Sequence, residues 1–256
     1  MTEHNAVELM IAIAARSLED GATVVVGTGG PCAAAMLAQK THAPNLVIMF
    51  EAGGVAPILP SMPISVGDSR TMHKALKATT MDEIMGYCQA GMVDYCFLGG
   101  AQIDKHGNLN STVIGDYYKP KVRFPGSGGA NDLASLCWRT IVMTVQDPRR
   151  FTETLDFRTT PGYLEGGDSR YKAGLPLDTG PYRVITDLGV YGYHPQSKEM
   201  MLLSLHPGAT VEDVQERTGF EMLIPDAYGS TEPPTDEELC ILREEVDPYR
   251  YIIGRS

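Results

Sequence analysis

Apolar positions Val7, Met10, Ile11, Ala14 and Leu18 recur at helical spacing, and Gly21 supplies a stop, so the pattern predicts a first helix over 5–20. Residues 23–26 form a short β-branched run that reads as a strand. It leads into Gly27-Thr28-Gly29-Gly30-Pro31, where Pro31 suits the first turn of a second helix over 32–40. Five apolar residues, Leu46 to Phe50, then have the length and composition of a buried strand in a parallel sheet. Strand, glycine loop, helix and strand make a βαβ unit.

Beyond it, Pro57, Pro60 and Pro63 interleave with Ile58, Leu59 and Met62, the mark of an ordered loop rather than a linker. Helical spacing returns over 72–89 and stops at Gly91, and an apolar strand over 94–98 closes on Gly99-Gly100. The polar, turn-rich stretch 104–112 is either a ligand-facing loop or a plain connection. A further buried strand is expected at 141–145, followed by an irregular region over 148–178. Segments 183–193 and 200–206 read as extended, paired antiparallel around a turn at Pro195-Gln196-Ser197. Thr210 with Asp213 and Thr235 with Glu238 resemble capping boxes that start two helices, and Asp247-Pro248 ends the second.

Apolar residues make up 43% of the 256, enough for a sizeable core in one large domain or two small ones. No run of 18 apolar residues exists, so a membrane span is not expected, and Met1-Thr2-Glu3-His4-Asn5 lacks the basic start of a secretory signal. A net charge of −11 disfavours nucleic acid but leaves room for an anionic small ligand wherever cations collect locally. Cys32, Cys88, Cys96, Cys137 and Cys240 show no C-x-x-C spacing and read as reduced cytoplasmic thiols. His73, His106, His194 and His206 have no partner at zinc-type spacing, so no metal is expected. Neither a G-x-S-x-G elbow nor a Cys–His pairing is legible.

The chemistry worth weighing starts at Glu51. It follows the 46–50 strand directly and precedes Ala52-Gly53-Gly54. In open α/β sheets, ligands bind beyond the carboxyl ends of strands, so Glu51 is either a ligand-facing carboxylate or the first solvated residue of a loop. Glu51 also lies 24 residues after Gly27, as in a dinucleotide-binding unit, but Cys32 occupies the position of that motif's last glycine. Asp68 and Arg70 either pair with each other, the more ordinary outcome, or face a ligand carboxylate. Lys119, Lys121 and Arg123 make the most basic stretch, a phosphate contact or simply a solvated basic face. It leads into Gly126-Ser127-Gly128-Gly129-Ala130-Asn131, a set of main-chain N–H donors before a helix expected from Asn131, suited to an anion or a developing oxyanion.

Several segments in this order resemble the beta (B) subunits of the family I CoA-transferases, most closely the glutaconate type. They are Val26-Gly27-Thr28-Gly29, Glu51-Ala52-Gly53, Ser65-Val66-Gly67-Asp68-Ser69-Arg70, Gly99-Gly100-Ala101-Gln102, Gly107-Asn108-Leu109-Asn110-Ser111-Thr112 and the 126–131 loop. The resemblance spans roughly residues 5–250 and treats 1–256 as a single domain. It implies an α/β subunit with an open, mainly parallel sheet flanked by helices, paired with a separate alpha (A) subunit, as α2β2. It implies Glu51 as nucleophile and Gly29, Gly53, Asn110, Lys121, Arg123, Gly128, Gly129 and Ala130 as binding residues for coenzyme A (CoA) or substrate. CoA is then a substrate, with acyl-CoA and carboxylate partners and no permanently bound cofactor. Two features depart from the glutaconate type: Ala52 stands where serine is usual, and residues 204–210 look closer to a branch that hydrolyses sterol-derived CoA esters. The latter keeps hydrolysis or C–C cleavage of a CoA ester open as an alternative.

Overall fold

The computed structural model describes residues 3–254, so the reading of Met1 and Thr2 lies outside the described residues. The chain divides into two compact units, one made of 3–97 with 233–254 and the other of Leu98–Glu232.

In the first unit, helix α1 (Ala6–Arg16) starts at a capping box in which Asn5 and Glu8 bond each other's main-chain N–H. Strand β1 (Thr23–Val25), helix α2 (Gly30–Lys40) and strand β2 (Val47–Met49) form the expected βαβ unit, with β1 parallel to β2. Every residue of α2 from Cys32 to Ala38 is buried, as befits a helix that is apolar on all sides and rich in alanine. The chain then turns back sharply. Strand β3 (Gly54–Val55) pairs antiparallel with β2, and β4 (Lys77–Ala78) pairs antiparallel with β3. Helix α3 (Met81–Gln89) leads to β5 (Tyr95–Leu98), which lies parallel to β1 on its other side.

The helix expected over 72–89 therefore forms only from Met81. A short 3₁₀ turn, Ser69–Met72, and strand β4 take the earlier part. The cause is tertiary: Thr79 N–H bonds Gly53 O at 2.9 Å, and Lys74 has a positive φ of 49° that no helix accommodates.

In the second unit, 104–112 is not a loop throughout. Strand β6 (Gln102–Ile103) pairs antiparallel with β7 (Leu109–Asn110), and the turn between them is held by Asp104. Its carboxylate accepts the N–H groups of His106 and Asn108 at 3.0 Å and Asn108 Nδ2 at 2.7 Å. Burial pushes that carboxyl above its ordinary value in spite of these donors. Strands β8 (Val113–Gly115) and β9 (Pro120–Arg123) make a second hairpin. After α4 (Ala130–Leu136), β10 (Arg139–Met143) runs parallel to β11 (Gly180–Ile185), with the short helix α5 (Ser169–Lys172) in the irregular region between them.

The segment 183–193 is two strands, not one: β11 turns into β12 (Gly189–Tyr193), which pairs antiparallel with it. Thr186 closes that turn, its hydroxyl accepting Leu188 N–H at 3.1 Å and Gly189 N–H at 3.2 Å. Strand β13 (Met200–Leu205) pairs antiparallel with β12 around the expected Pro195 turn. Helix α6 (Val211–Glu216) and strand β14 (Gly229–Ser230) complete this unit, and the Thr210 capping box is present.

The chain then re-enters the first unit. A helix over Asp236–Ile241, begun by the Thr235 capping box, continues as π-type turns over Leu242–Val246. It is fastened along α1 by Arg16 Nε to Glu238 at 2.8 Å, Arg243 Nε to Glu8 at 2.7 Å and Asn5 Nδ2 to Ile253 O at 2.8 Å.

Burial opposes ionisation of Glu8, but Arg243 and the Asn5 N–H outweigh it and hold the carboxyl below its ordinary value. The unfolded carboxyl takes its proton near 4.5 while the folded one resists to lower pH. The contribution is therefore complete above 4.5 and lost as pH falls through the depressed value. Urea denaturation should find Glu8→Gln weaker than wild type by about 2 kcal/mol at neutral pH, with the difference shrinking as pH drops below 4.5.

Candidate functional site

The carboxyl ends of β1 and β2 are level: Val25 stands opposite Met49, and Val26 N–H bonds Met49 O at 3.0 Å. The Gly27–Gly29 loop and the Glu51 turn consequently leave the same sheet edge, where α/β folds bind ligands. The Glu51 turn is tight. Gly53 N–H bonds Phe50 O and Phe50 N–H bonds Gly54 O, both at 2.9 Å. Glu51 sits at its tip, half-buried, and its carboxylate has no hydrogen bond or ion pair among the described residues.

The glycines behind Glu51 serve the chain itself. A Cβ on Gly53, whose φ is +115°, would lie 2.0 Å from Thr79 O, and one on Gly54 would lie 2.0 Å from Thr71 O. Main chain packs where those side chains would stand. Gly29 caps α2 with a φ of 90° and no side-chain bond to the first turn, which carries no acid. Asp68 and Arg70 choose the ordinary outcome: Arg70 Nε lies 3.0 Å from both Asp68 oxygens, and the guanidinium holds that carboxyl well below its usual range.

In the second unit the 126–131 loop is braced on both sides. Gly126 N–H bonds Ser111 O, and Ser111 Oγ donates to Gly126 O, both at 3.1 Å. Asn131 Nδ2 donates to Thr159 O at 3.0 Å, and Ser127 Oγ accepts Asn131 N–H at 3.0 Å. Gly128, at φ +50°, and Gly129, at φ −78° and ψ −1°, have the signs of a primed turn. Their N–H groups have no acceptor among the described residues. Ala130 N–H is already engaged by Ser127 O at 2.9 Å, and α4 begins at Ala130, one residue earlier than expected.

Asn110 is 0% exposed and fully engaged. Its Nδ2 donates to Gln102 Oε1 at 2.7 Å and Val113 O at 2.6 Å, while its Oδ1 accepts Thr112 and Val113 N–H. It holds the turn that carries Ser111 and presents no free donor. Lys121 and Arg123 lie exposed on β9, just before the glycine loop. Arg123 is steadied by the Tyr117 ring, 4.7 Å from its guanidinium carbon, and Tyr117 is stacked on Phe157.

Sequence reasoning missed the cavity beside this loop. It measures about 740 Å³ and is lined by Gly100, Gln102, Ser111, Phe124, Gly126 and Arg150, among others. Adjacent cations, Arg149 and Arg150, in so acidic a chain were the available signal. Cys32 is fully buried and its thiol is pushed up to about 12, which disfavours it as a nucleophile; Cys88, Cys96 and Cys137 are buried too, and Cys240 is exposed. Among the described residues, no group of three His, Cys, Asp or Glu is placed to hold a metal, and no helix is long and apolar enough to cross a membrane.

The coenzyme A transferase family profile matches residues 7–217. The chain is 41% identical over 244 residues to the B subunit of 3-oxoadipate CoA-transferase from Pseudomonas knackmussii, covering 95% of this chain and 94% of that one. It is 38% identical over 257 residues to the B subunit of glutaconate CoA-transferase from Acidaminococcus fermentans, covering 98% and 96%. The crystal structure of glutaconate CoA-transferase from that organism matches with a TM-score of 0.94 at 36% identity, over 100% of this chain and 99% of that one. A more distant relative, 29% identical over 220 residues, is a cholesterol ring-cleaving hydrolase subunit of Rhodococcus jostii, with 85% and 82% covered.

Gly53→Ala forces a side chain into the left-handed region and onto the Thr79 carbonyl. Denaturant titration should show a loss of about 3 kcal/mol or more.

Proposed function

The chain belongs to the coenzyme A transferase family, and from that premise we propose that it is the beta subunit of a two-subunit enzyme that moves CoA between carboxylic acids through a glutamyl-CoA thioester on Glu51. The observation that carries this reading is the half-buried Glu51 carboxylate, without a partner among the described residues, at the carboxyl edge of parallel strands. A carboxylate tied into an ion pair, as Asp68 is, would have to break that pair before reacting.

A Glu51 oxygen attacks the thioester carbonyl, the C–S bond breaks, and CoA thiolate leaves a mixed anhydride. The thiolate attacks the glutamyl carbonyl and releases the donor's carboxylate, leaving CoA on Glu51. The acceptor carboxylate then attacks that thioester, expels the thiolate, and the thiolate takes the new acyl group and frees Glu51. Every step passes through a tetrahedral oxyanion. Amide donors are its natural stabilisers, each typically contributing about 3 kcal/mol, and the N–H groups of Gly128 and Gly129 are uncommitted.

Lys121 and Arg123 supply positive charge for the CoA phosphates and Gly29 contributes main chain, whereas Gly53 and Ala130, whose N–H groups are held by Phe50 O and Ser127 O, act by fixing their turns. Asn110 acts through the turn it holds. CoA is a substrate here and no resident cofactor is invoked. The 3-oxoadipate and glutaconate relatives are named as B subunits, which supports an A-subunit partner; the proposed assembly is a cytoplasmic α2β2 enzyme. Their names, 3-oxoadipate and glutaconate, favour a short dicarboxylate as substrate. Hydrolysis of a CoA ester is the second reading, supported by the Rhodococcus relative. Release of free CoA without any carboxylate acceptor would favour it over transfer.

With the A subunit present, incubation with an acyl-CoA should add the mass of CoA to the peptide bearing Glu51. Glu51→Gln should lose transfer by about a thousandfold or more, and full activity in that variant would sink the mechanism. Lys121→Ala together with Arg123→Ala should raise KM for the acyl-CoA several-fold, by a factor that shrinks as salt is added.

A further inference from the structure

Residues 247–253 follow the C-terminal helix and could pass for a trailing turn, yet they are firmly built. Asp247 is 1% exposed. Its carboxylate accepts the N–H groups of Tyr251, Ile252 and Ile253 at 2.9, 2.8 and 3.1 Å. Arg250, at φ +55°, bends the chain so that its N–H reaches Asp247 O at 2.9 Å.

The turn is also pinned to the edge that carries Glu51. Asn5 holds Ile253 O, and Ile252 Cδ1 lies 3.8 Å from where a Cβ on Gly29 would stand. Met62 N–H bonds Val246 O at 2.9 Å, which ties in the loop ending at Arg70. Arg70 is in electrostatic range of both Tyr249 and Tyr251, and its neighbour Thr71 abuts Gly54, three residues after Glu51.

On this frame stand two large rings that the fold does not use. Tyr249 and Tyr251 are 63% and 60% exposed, with ring centroids 5.6 Å apart and planes 33° apart. Their hydroxyls have no hydrogen-bond partner among the described residues. Arg70 itself is a poor ligand for an anion, because its donors go to Asp68, Ser61 Oγ and Met62 O. The two phenols are uncommitted donors on this side.

We propose that Tyr249 and Tyr251 form the acyl-side wall of the Glu51 site and select the acid it accepts, their rings covering a short methylene chain and their hydroxyls donating to its remote carboxylate. This rests on the transferase reading and adds to it the residues that set substrate choice. A ring face suits methylenes, and a phenol suits a carboxylate that must be recognised at the far end of the chain. A monocarboxylate of equal length would use the rings and leave the hydroxyls unmatched.

The test uses the complex with its A subunit, acetyl-CoA as donor, and glutarate or pentanoate as acceptor. Wild type should prefer glutarate in kcat/KM. Tyr249→Phe with Tyr251→Phe should lower the glutarate-to-pentanoate ratio about tenfold, and the double Ala variant should raise KM for both acids. An unchanged ratio in the Phe variant overturns the inference. So does a Phe variant that no longer assembles with the A subunit, because the tyrosines would then be a subunit contact. A wild-type complex that forms no CoA adduct on Glu51 fails the transferase reading instead, so the two failures are told apart.

Discussion

Two carbonyl oxygens, those of Thr79 and Thr71, fill the places where side chains on Gly53 and Gly54 would begin. Contact between main chain and main chain on both faces of so short a hairpin leaves it little freedom. The Glu51 turn is defined by this contact more than by its own hydrogen bonds, because strand β3 is only two residues long. Pairing of β4 with β3, the Thr79 bond to Gly53 and the 3₁₀ turn at Ser69–Met72 all follow from the same absence of Cβ atoms. A carboxylate meant to act as a nucleophile gains from such rigidity, since its attack angle is then set by the fold rather than found by search.

Much of this could be read in advance. The apolar run ending at Glu51, the glycine loop and the two later capping boxes rest on local signals, and local signals survive folding. What could not be read depends on partners distant in sequence. The 72–80 stretch has helical spacing, yet it is claimed by Gly53 and Gly54, roughly twenty residues earlier. Thr186 splits an apparently continuous strand because its hydroxyl serves two N–H groups at once. Asn110 reads as a free polar residue on a loop, and only the tertiary structure shows all its bonds taken by Gln102, Thr112 and Val113. The cavity beside Gly126 is likewise assembled from segments dozens of residues apart.

Charge follows a similar logic of placement. An overall balance of −11 repels a polyanionic ligand at long range, so attraction has to be local. Many cations among the described residues are already neutralised, as Arg16, Arg70, Arg149 and Arg243 are by carboxylates. Lys121 and Arg123 are among the cations with no carboxylate partner among the described residues, and they lie on an exposed strand that runs into the glycine loop. Small numbers of unpaired cations at one spot can outweigh a diffuse excess of acid, because screening limits each charge to about 8–10 Å.

The bonds from α1 to the segment beyond residue 233 have a bearing on how the molecule is made. A ribosome delivers residues 3–97 well before the strip that fastens them, and the whole of Leu98–Glu232 emerges in between. Until that strip arrives, Asn5 has no Ile253 to hold and Glu8 no Arg243, and one face of α1 and α2 stays uncovered. Nascent chains of this design therefore hold sticky surface through most of translation, and a stalled or truncated product would be a natural client for chaperones.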